Sequence, residues 1–510
     1  MFEFRRLVAA MLLTVAFCAF FVASAAASYN SYLRPVADYP GDRWTITGAG
    51  SAWEALDDPV TEEQAPNNAD FISNSTTQSG NWGVDIDTQP LVGDTIKAST
   101  AWFYLSTPAA VKLKVRVKKN PLGGDSLLAS STSSGTGWHS LSIDLKGSQP
   151  MLDEVYFRFL SGTTTSTRTV SASFLKLTLE PSAPKVYWGA WIDGDVYGSE
   201  HDAPWDPVIW ETFESHAEKP VSIVHFGQPA PWLQGFAKDP LDKAYGGSAL
   251  PLMDMGSGEV SLQEIASGAS YWDTKLKEWS EDVAKYGKPF FFRWNWEMNL
   301  MPNNELPWTK QVAANPRVFV EAWHRFHKIA DAAGASNITW VWCPNTSYGT
   351  YPFGSTPLSQ LWPGSEYVDW TCIDGYNSGT NPLQPDTWKS FSQVFAKTYG
   401  EIVSLAPTKP LIIGETASTE YGGSKAQWIT NALTREIPLD FPKIKAFAWF
   451  NWNIKKGGAG ERLDWPIESK FPTGGVPTAQ EAFASGIGHS YYQVGWAAEP
   501  APWTKIAPLP

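Results

Sequence analysis

Eight short apolar runs, separated by longer segments with helical periodicity, fill most of the chain after residue 185. A run of this kind, bounded by Gly, Pro or Asn, predicts a buried parallel strand. The predicted strands are Val186–Ile192, Val221–Phe226, Leu250–Met255, Pro289–Trp296, Ile338–Cys343, Val368–Ile373, Leu411–Glu415 and Ala446–Asn451.

The segments between these strands carry apolar residues at helical spacing. Clear examples are Trp272, Leu276, Trp279 and Val283, and then Phe319, Trp323, Phe326 and Ala330. Eight strand–helix units in about 300 residues fit an α/β fold of the (β/α)8 or TIM-barrel type. A doubly wound open sheet is the alternative. We favour the barrel, because no Gly-rich phosphate turn of the dinucleotide-binding type follows any strand.

An all-β domain is predicted before the barrel, over residues 29–180. This part is rich in Ser, Thr and Gly, and short alternating strands recur in it, which is typical of a β-sandwich. The strand candidates are Val111–Lys118, Trp138–Leu145, Val155–Leu160 and Val170–Leu179. Trp53, Trp82 and Trp102 are candidates for a sugar-binding face. A sandwich that serves only as a spacer is equally compatible with the sequence.

The first 27 residues have the order of parts found in a secretory signal peptide. Arg5 and Arg6 precede the apolar stretch Leu7–Val22, and the small-residue run Ala23–Ala27 follows. A membrane anchor is the alternative, because the stretch is of marginal spanning length. We expect a secreted protein with no membrane association after cleavage, a barrel over residues 185–490 and a Pro-bearing aromatic tail over residues 491–510.

The charge of the chain points to a neutral ligand. Removal of the signal takes away Glu3, Arg5 and Arg6 and leaves 51 acidic and 37 basic residues, a net charge of −14. Such a surface argues against nucleic acid or an anionic membrane as a partner. The chain also contains 27 Trp residues, and an amphipathic indole suits the apolar faces and hydroxyl edges of sugars.

Cysteine usage indicates neither a disulfide framework nor a metal site. Only Cys343 and Cys372 remain after the signal, and two buried thiols are favoured over one bridge, although the sequence leaves both open. No cluster of His, Cys and Asp has metal-ligand spacing, so we expect no metal and no cofactor. We expect the protein to be a monomer.

Two carboxylates stand at the carboxyl ends of predicted strands. Glu297 ends the run from Pro289, and Glu415 ends the run from Pro410. Barrel enzymes place their chemistry at these strand ends. A pair of facing carboxylates is the minimum requirement for hydrolysing a glycosidic bond.

Arg293, Asn295 and Glu297 lie two residues apart, so strict alternation places them on one face of the strand. Three polar residues would be costly at the apolar centre of a barrel, and a polar site at its mouth explains them better. Two alternatives remain open at this point. Arg293 and Glu297 would form a purely structural buried pair, or Glu415 would serve the N-terminus of the next helix.

At these residues the chain resembles glycoside hydrolase family 26, one of the retaining (β/α)8 glycosidase families. The family carries its acid/base in an Arg-x-x-His-Glu-x-Asn segment on strand four, which the segment Arg293–Asn299 fits with one change. Its nucleophile lies on strand seven, which Ile413–Thr416 resembles. Trp340–Asn345 and Val368–Asn377 would be strands five and six. The resemblance covers roughly residues 185–455.

The resemblance implies a double-displacement glycosidase with Glu297 as acid/base and Glu415 as nucleophile. Its substrate would be a β-linked polysaccharide, β-mannan first and mixed-linked β-glucan or β-xylan next. Further residues are implied around the substrate. Tyr376 would hydrogen-bond the nucleophile, Trp449 would form the floor of the cleavage subsite and Trp308 would stack on the next sugar. For these three residues, plain packing is a nearly equal alternative. Arg293, Asn295 and Asn345 complete the predicted substrate-binding set.

Two departures from the family pattern bear on specificity. Trp296 stands where the family has a substrate-contacting His, and Leu300 stands where Gly is usual. Strict alternation turns Trp296 outward among the helices, whereas a bulge before Glu297 turns it into the site, which we favour. These departures keep a second function open, a catalytically idle carbohydrate-binding protein on a glycosidase barrel.

Overall fold

The computed structural model divides the chain into two compact units, Met1–Ser182 and Ala183–Pro510. In the second unit the structure describes residues 184–228, 235–346, 355–452, 463–468, 478–496 and 504–510. In the first unit it describes the backbone of the strands. The predicted signal peptide and Trp82 lie outside the described residues, and so do the side chains of Trp53 and Trp102.

The first unit contains an antiparallel network of nine strands. They are β1 (Tyr29–Leu33), β2 (Trp44–Thr47), β3 (Trp53–Leu56), β4 (Phe71–Thr76), β5 (Gly83–Asp87), β6 (Thr95–Lys118), β7 (Ser126–Pro150), β8 (Glu154–Ser161) and β9 (Arg168–Glu180). The long strand β6 pairs with β7 along most of its length, with β9 through its first half and with β8 through its second half. All four predicted strands are present, and the packing of the network into a two-layered sandwich stays a prediction.

The second unit contains a closed barrel of eight parallel strands. They are β10 (Tyr187–Ile192), β11 (Ile223–Gln228), β12 (Leu250–Met255), β13 (Phe290–Trp294), β14 (Ile338–Trp342), β15 (Trp370–Asn377), β16 (Leu411–Ser418) and β17 (Ile444–Asn451). The first and last strands pair in parallel from Tyr187 with Ala446 to Ile192 with Asn451, which closes the ring. The predicted barrel is confirmed, and the open-sheet alternative is excluded.

Helices lie between the strands and cover the barrel. They are α1 (Gly194–Tyr197), α2 (Pro207–Ala217), α3 (Asp239–Gly246), α4 (Leu262–Ser267), α5 (Ser270–Tyr286), α6 (Trp308–Ala314), α7 (Pro316–Ala332), α8 (Phe391–Leu405), α9 (Lys425–Asn431) and α10 (Ala479–Ile487), with a 3-10 turn at Leu358–Gln360 and a π-helical segment at Ala432–Asp440. The two predicted apolar stripes lie on α5 and α7, where their residues are buried except for Trp272, which is half-buried. In the part of the chain that the structure describes, no helix has the length and apolar character needed to cross a membrane.

Alternation along the strands separates two apolar layers. One layer fills the barrel interior and consists of Tyr187, Ile223, Leu250, Leu252, Phe291, Val341, Cys343, Trp370, Cys372, Ile412, Ala446, Ala448 and Ile506. The other layer lies between the strands and the helices and takes the alternate residues, such as Phe292 and Trp340. Buried charged residues lie beyond the interior layer, toward the carboxyl ends of the strands, which locates the site. They are Asp254, Arg293, Asp374 and Glu415.

The predicted C-terminal tail contributes to the barrel unit rather than standing apart from it. Ile506 donates its backbone N–H to Thr339 Oγ1 at 2.9 Å and accepts from Trp370 Nε1 at 2.9 Å. Thr339 and Trp370 lie near the amino ends of their strands, so the described part of the tail covers the barrel end opposite the two glutamates.

Candidate active site

The strand that leads to Glu297 ends earlier than predicted and leaves its regular geometry. Asn295 and Glu297 have φ values of 48° and 52°, in the left-handed region that non-glycine residues rarely adopt. The N–H of Asn295 donates to the Met255 carbonyl at 3.1 Å, and the N–H of Glu297 donates to the Cys343 carbonyl at 2.7 Å. Asn295 and Glu297, which are two residues apart, are therefore bonded to the strands on opposite sides, and strict alternation no longer applies. Such strain is typical of functional sites.

Arg293 is completely buried and binds three carboxylates. Its Nε donates to Asp254 Oδ1 at 2.6 Å, and its Nη1 donates to both oxygens of Asp374 at 2.7 and 2.8 Å. Its Nη2 donates to Glu415 Oε1. A guanidinium with no exposed surface orients other side chains, and the contact of Arg293 with substrate stays a prediction. The alternative of a purely structural Arg293–Glu297 pair is excluded, since Arg293 pairs with Glu415.

Glu415 reaches the interior through an irregularity in β16. Ile373 of β15 pairs with Ile413, whereas the next residue, Asp374, pairs with Glu415, so Gly414 is an extra residue. A Cβ on Gly414 would lie 2.5 Å from Arg293 Nη1 and 2.6 Å from Asp374 Oδ1. Glycine is therefore required for Arg293 to fit beneath the nucleophile candidate.

The surroundings of Glu415 exclude a helix-capping role. Its carboxylate accepts from Arg293 on one oxygen and from the Tyr376 hydroxyl on the other. The next helix begins at Lys425 and is capped by Ser424. The hydrogen bond expected of Tyr376 is present in the structure.

Glu297 and Glu415 face one another at the barrel mouth. One oxygen of each lies within 4.8 Å of the other, and Asp374 contributes a third oxygen within the same distance. Glu297 is partly exposed, whereas Glu415 is 7% exposed. Glu297 Oε1 accepts from the side-chain amide of Asn345, so the predicted site residue Asn345 contacts an acid.

Burial, with the nearby charge of Glu415, raises the pKa of Glu297 to about 8. Burial also raises the pKa of Asp374, against the opposing effect of Arg293. For Asp254, the charges of Arg293 and His225 outweigh burial and lower the pKa. At neutral pH, Glu297 is therefore mainly protonated, which is the state of a proton donor.

Trp296 turns toward the site, as the bulge hypothesis expects. Its ring centroid lies 5.6 Å from Arg293 Cζ, in a cation–π arrangement. Trp308 packs edge-on against it at 4.9 Å and donates its Nε1 to the Trp296 carbonyl at 3.0 Å. Trp308 is buried and packs against Trp296, and its stacking on a sugar stays a prediction.

Two other residues predicted to contact substrate are buried in this structure, and their contact with substrate stays a prediction. Trp449 is 1% exposed and faces the helices, where it packs against Phe483 of α10 at 5.4 Å. Strand alternation turns its neighbour Phe450 inward, next to Tyr376 at 5.8 Å. Asn295 is completely buried, and its Oδ1 accepts from the Ser257 N–H at 2.6 Å, so it fixes the loop after β12.

Sequence reasoning missed several residues that surround the two acids. Asp254 and His225 end the inward faces of β12 and β11, and His225 Nε2 lies 2.8 Å from Asp254 Oδ2. Asn299 donates to the Asn345 carbonyl and accepts from the Asn345 N–H, both at 2.8 Å. The sequence could have identified Asp254 and His225, because they are polar residues inside apolar strand runs.

Cys343 and Cys372 form a disulfide in the barrel interior, so the preference for two thiols is wrong. The two residues lie at the end of β14 and within β15, which are neighbouring strands. Alternation turns both inward, next to Arg293 and Asp374. The bridge therefore ties together the two strands beneath the acids.

A comparison with curated proteins finds a relative of this chain. Endoglucanase H of Acetivibrio thermocellus is 30% identical over 311 residues, which are 59% of this chain and 30% of that protein. The chain thus spans less than a third of its curated relative. No family model matches the sequence.

Solved structures with similar folds include proteins of glycoside hydrolase family 26. GH26A from Muricauda sp. MAR_2010_75 is 15% identical, with coverage of 61% of this chain and 91% of that one and a TM-score of 0.40. A GH26–CBM35 β-(1,4)-mannanase from Podospora anserina is 12% identical, with coverage of 89% and 98% and a TM-score of 0.37. Such distant overlays add nothing to the barrel assignment, which follows from the strand pairing.

The fold and the site define a (β/α)8 barrel with paired carboxylates at the ends of its fourth and seventh strands. Within that class, the chain resembles glycoside hydrolase family 26 over roughly residues 185–455.

Proposed function

We propose that the protein is a secreted, retaining endo-β-glycanase of the family 26 type, with Glu415 as nucleophile and Glu297 as acid/base. The observation that carries the proposal is the approach of these two carboxyl groups, with oxygens within 4.8 Å. Retaining glycosidases hold their carboxyl groups about 5–5.5 Å apart, whereas inverting enzymes need about 6.5–9.5 Å to admit a water. The spacing therefore supports double displacement.

In the first step, Glu415 attacks the anomeric carbon as a carboxylate and Glu297 gives its proton to the leaving oxygen. Arg293 and Tyr376 donate to the two oxygens of Glu415, which fixes the orientation of its carboxylate. Formation of the glycosyl–enzyme bond breaks the glycosidic bond, and the shortened chain leaves as an alcohol.

In the second step, Glu297 is a carboxylate and takes a proton from an attacking water. The water oxygen replaces Glu415 at the anomeric carbon, which restores the original configuration and regenerates both acids. The hydrogen bond from Asn345 supports this step, because it favours the ionised form of Glu297. The same residue thus offers a proton and then removes one.

For the substrate, we propose the class of β-linked polysaccharides and leave the sugar open between β-mannan and a β-glucan. The family resemblance favours β-mannan, whereas the name of the endoglucanase relative supports a β-glucan. Trp296, which stands in place of the family's His, bears on which polysaccharide is hydrolysed. Its partly exposed indole lies beside Arg293 near both acids.

The experiment is reducing-sugar release from β-mannan, mixed-linked β-glucan and β-xylan by the purified full chain, with Glu415→Gln as the matched inactive control. We expect wild-type activity on at least one polymer and none in the variant. Early release of mixed oligosaccharides would support endo action. Binding of a polymer by both proteins without release from any would instead support the idle carbohydrate-binding protein.

A further inference from the structure

Trp465 packs flat against Tyr376, the residue that donates its hydroxyl to Glu415. The two ring centroids are 4.2 Å apart and the planes differ by 12°. Trp465 is almost completely buried, and its Nε1 has no hydrogen-bond partner among the described residues. An indole N–H is normally bonded when it is buried. The position of Trp465 is therefore set by its stacking and by its backbone.

The backbone on either side of Trp465 is fixed by buried polar groups. Lys425 is completely buried and donates its ammonium group to the Asp464 and Pro466 carbonyls at 2.7 and 2.6 Å. Trp449 Nε1 donates to the Trp465 carbonyl at 3.1 Å. Three consecutive carbonyls are thus held by side chains of other elements.

The backbone of the next residue, Ile467, is also bonded to a side chain from another element. Asn451, the last residue of β17, accepts from the Ile467 N–H at 2.8 Å. A buried ammonium group without partners is costly, so Lys425 depends on its bonds to the Asp464 and Pro466 carbonyls. These two bonds in turn fix that part of the backbone. Each residue from 464 to 467 therefore has a backbone group bonded to a side chain from another element.

We propose that Trp465 is a positioning residue for the nucleophile: its indole holds the Tyr376 ring so that the hydroxyl stays on Glu415, and Lys425 holds the segment that presents Trp465. The inference rests on the proposed function, because it assigns a way of orienting Glu415. Phe450 packs edge-on against both rings, at 5.8 Å from Tyr376 and 5.9 Å from Trp465. The phenol is thereby confined on two sides.

The physical reason is that one hydrogen bond orients a ring poorly when the ring can tilt. A tyrosine hydroxyl can follow a carboxylate through a range of ring positions, whereas a flat partner at 4.2 Å limits tilting. Small misplacement of a reacting group lowers the rate steeply. Loss of Trp465 is therefore expected to lower kcat more than it raises KM.

The test is a double-mutant cycle on the polymer that wild type hydrolyses, with Trp465→Leu, Tyr376→Phe and the double variant. We expect each single substitution to lower kcat about 10-fold or more, and Trp465→Leu to cost less than about 2-fold in the Tyr376→Phe background. The cost disappears there because no hydroxyl remains to be positioned. Trp465→Phe, a smaller change, tests the same point if Trp465→Leu does not fold.

Equal costs of Trp465→Leu in both backgrounds would overturn the proposal, because the indole would then act on substrate or stability directly. Lys425→Met should reproduce the kinetic loss of Trp465→Leu, and an unchanged kcat would contradict the role of Lys425. Trp362→Leu is the matched control, since Trp362 packs against Trp342 on the helix side and should leave kcat unchanged. Inactivity of wild type on every polymer would refute the proposed function instead.

Discussion

Asn345 donates a hydrogen bond from its side-chain amide to Glu297. The backbone N–H and carbonyl of Asn345 are both bonded to the side-chain amide of Asn299. The bond to Glu297 acts against the burial and the charge of Glu415, which together raise the pKa of Glu297 to about 8. Asn345 therefore keeps the pKa of the proposed acid/base lower than it would otherwise be. The position of the alkaline limb of activity therefore depends on this contact as well as on burial and on the charge of Glu415.

The first prediction is that Asn345→Ala moves the alkaline limb of kcat/KM to higher pH. Removal of a donor to the carboxylate favours the protonated form, so the pKa of Glu297 rises further above about 8. Glu297 must be protonated to give its proton to the leaving oxygen, so activity persists at higher pH, although its maximum falls. A pH–rate profile measures the shift, and a limb that moves to lower pH would contradict the assignment.

The second prediction concerns Gly414, whose missing side chain admits Arg293. Gly414→Ala places a methyl group 2.5 Å from Arg293 Nη1 and 2.6 Å from Cys372 Sγ, so the guanidinium must move away from its carboxylates. We expect loss of most activity and about 2–4 kcal/mol of stability, within the range for disrupting a buried network.

Gly400→Ala is the matched control for this change. Gly400 lies inside helix α8, and a Cβ there would meet no atom within 4 Å. The control should gain about 0.5–1 kcal/mol of stability and keep full activity. Equal stability of the two variants in chemical unfolding would show that Arg293 tolerates a methyl group at Gly414.

The third prediction tests Trp296 as a specificity residue. Trp296→His keeps an aromatic ring beside Arg293 and removes part of the contact with Trp308. We therefore expect it to lower the free energy of unfolding by only about 1 kcal/mol. The ratio of activity on β-mannan to activity on the other polymers should rise. A large drop in melting temperature with an unchanged ratio would make Trp296 a packing residue.

The barrel was predictable because each of its strands is a compact apolar run, and the two acids were predictable because they end such runs. Gly414 and the left-handed residues Asn295 and Glu297 set the direction of the nearby side chains. These irregular backbone positions cannot be predicted from the alternation of residues along a strand. Reasoning from alternation therefore placed Glu297 and Arg293 together, although Arg293 pairs with Glu415.

The aromatic residues were harder to place, because an indole satisfies a core and a sugar subsite equally well. Trp449 is turned toward the helices, whereas Trp465, which lies beyond the last strand, stacks beside the site. The segment 463–468 has neither the period of a strand nor that of a helix. Its place depends on Lys425 and Asn451, partners that are remote in sequence.

The fourth prediction separates the roles of the two acids. With a substrate whose leaving group needs no proton, Glu297→Ala should form the glycosyl–enzyme and then stall, because no general base activates water. Azide should restart turnover and give a β-glycosyl azide. In Glu415→Ala, azide should give the product of inverted configuration. Product analysis by NMR distinguishes the two, and the opposite pattern would reverse the assignment.

The most direct test of the central claim is covalent trapping of the nucleophile. A 2-deoxy-2-fluoro β-glycoside with a good leaving group, of the sugar type that wild type hydrolyses, slows both steps and slows release more than formation, so the intermediate accumulates. Peptide mass spectrometry should then find the sugar on Glu415. A label on Glu297, or inversion of configuration during turnover without any label, would contradict the account.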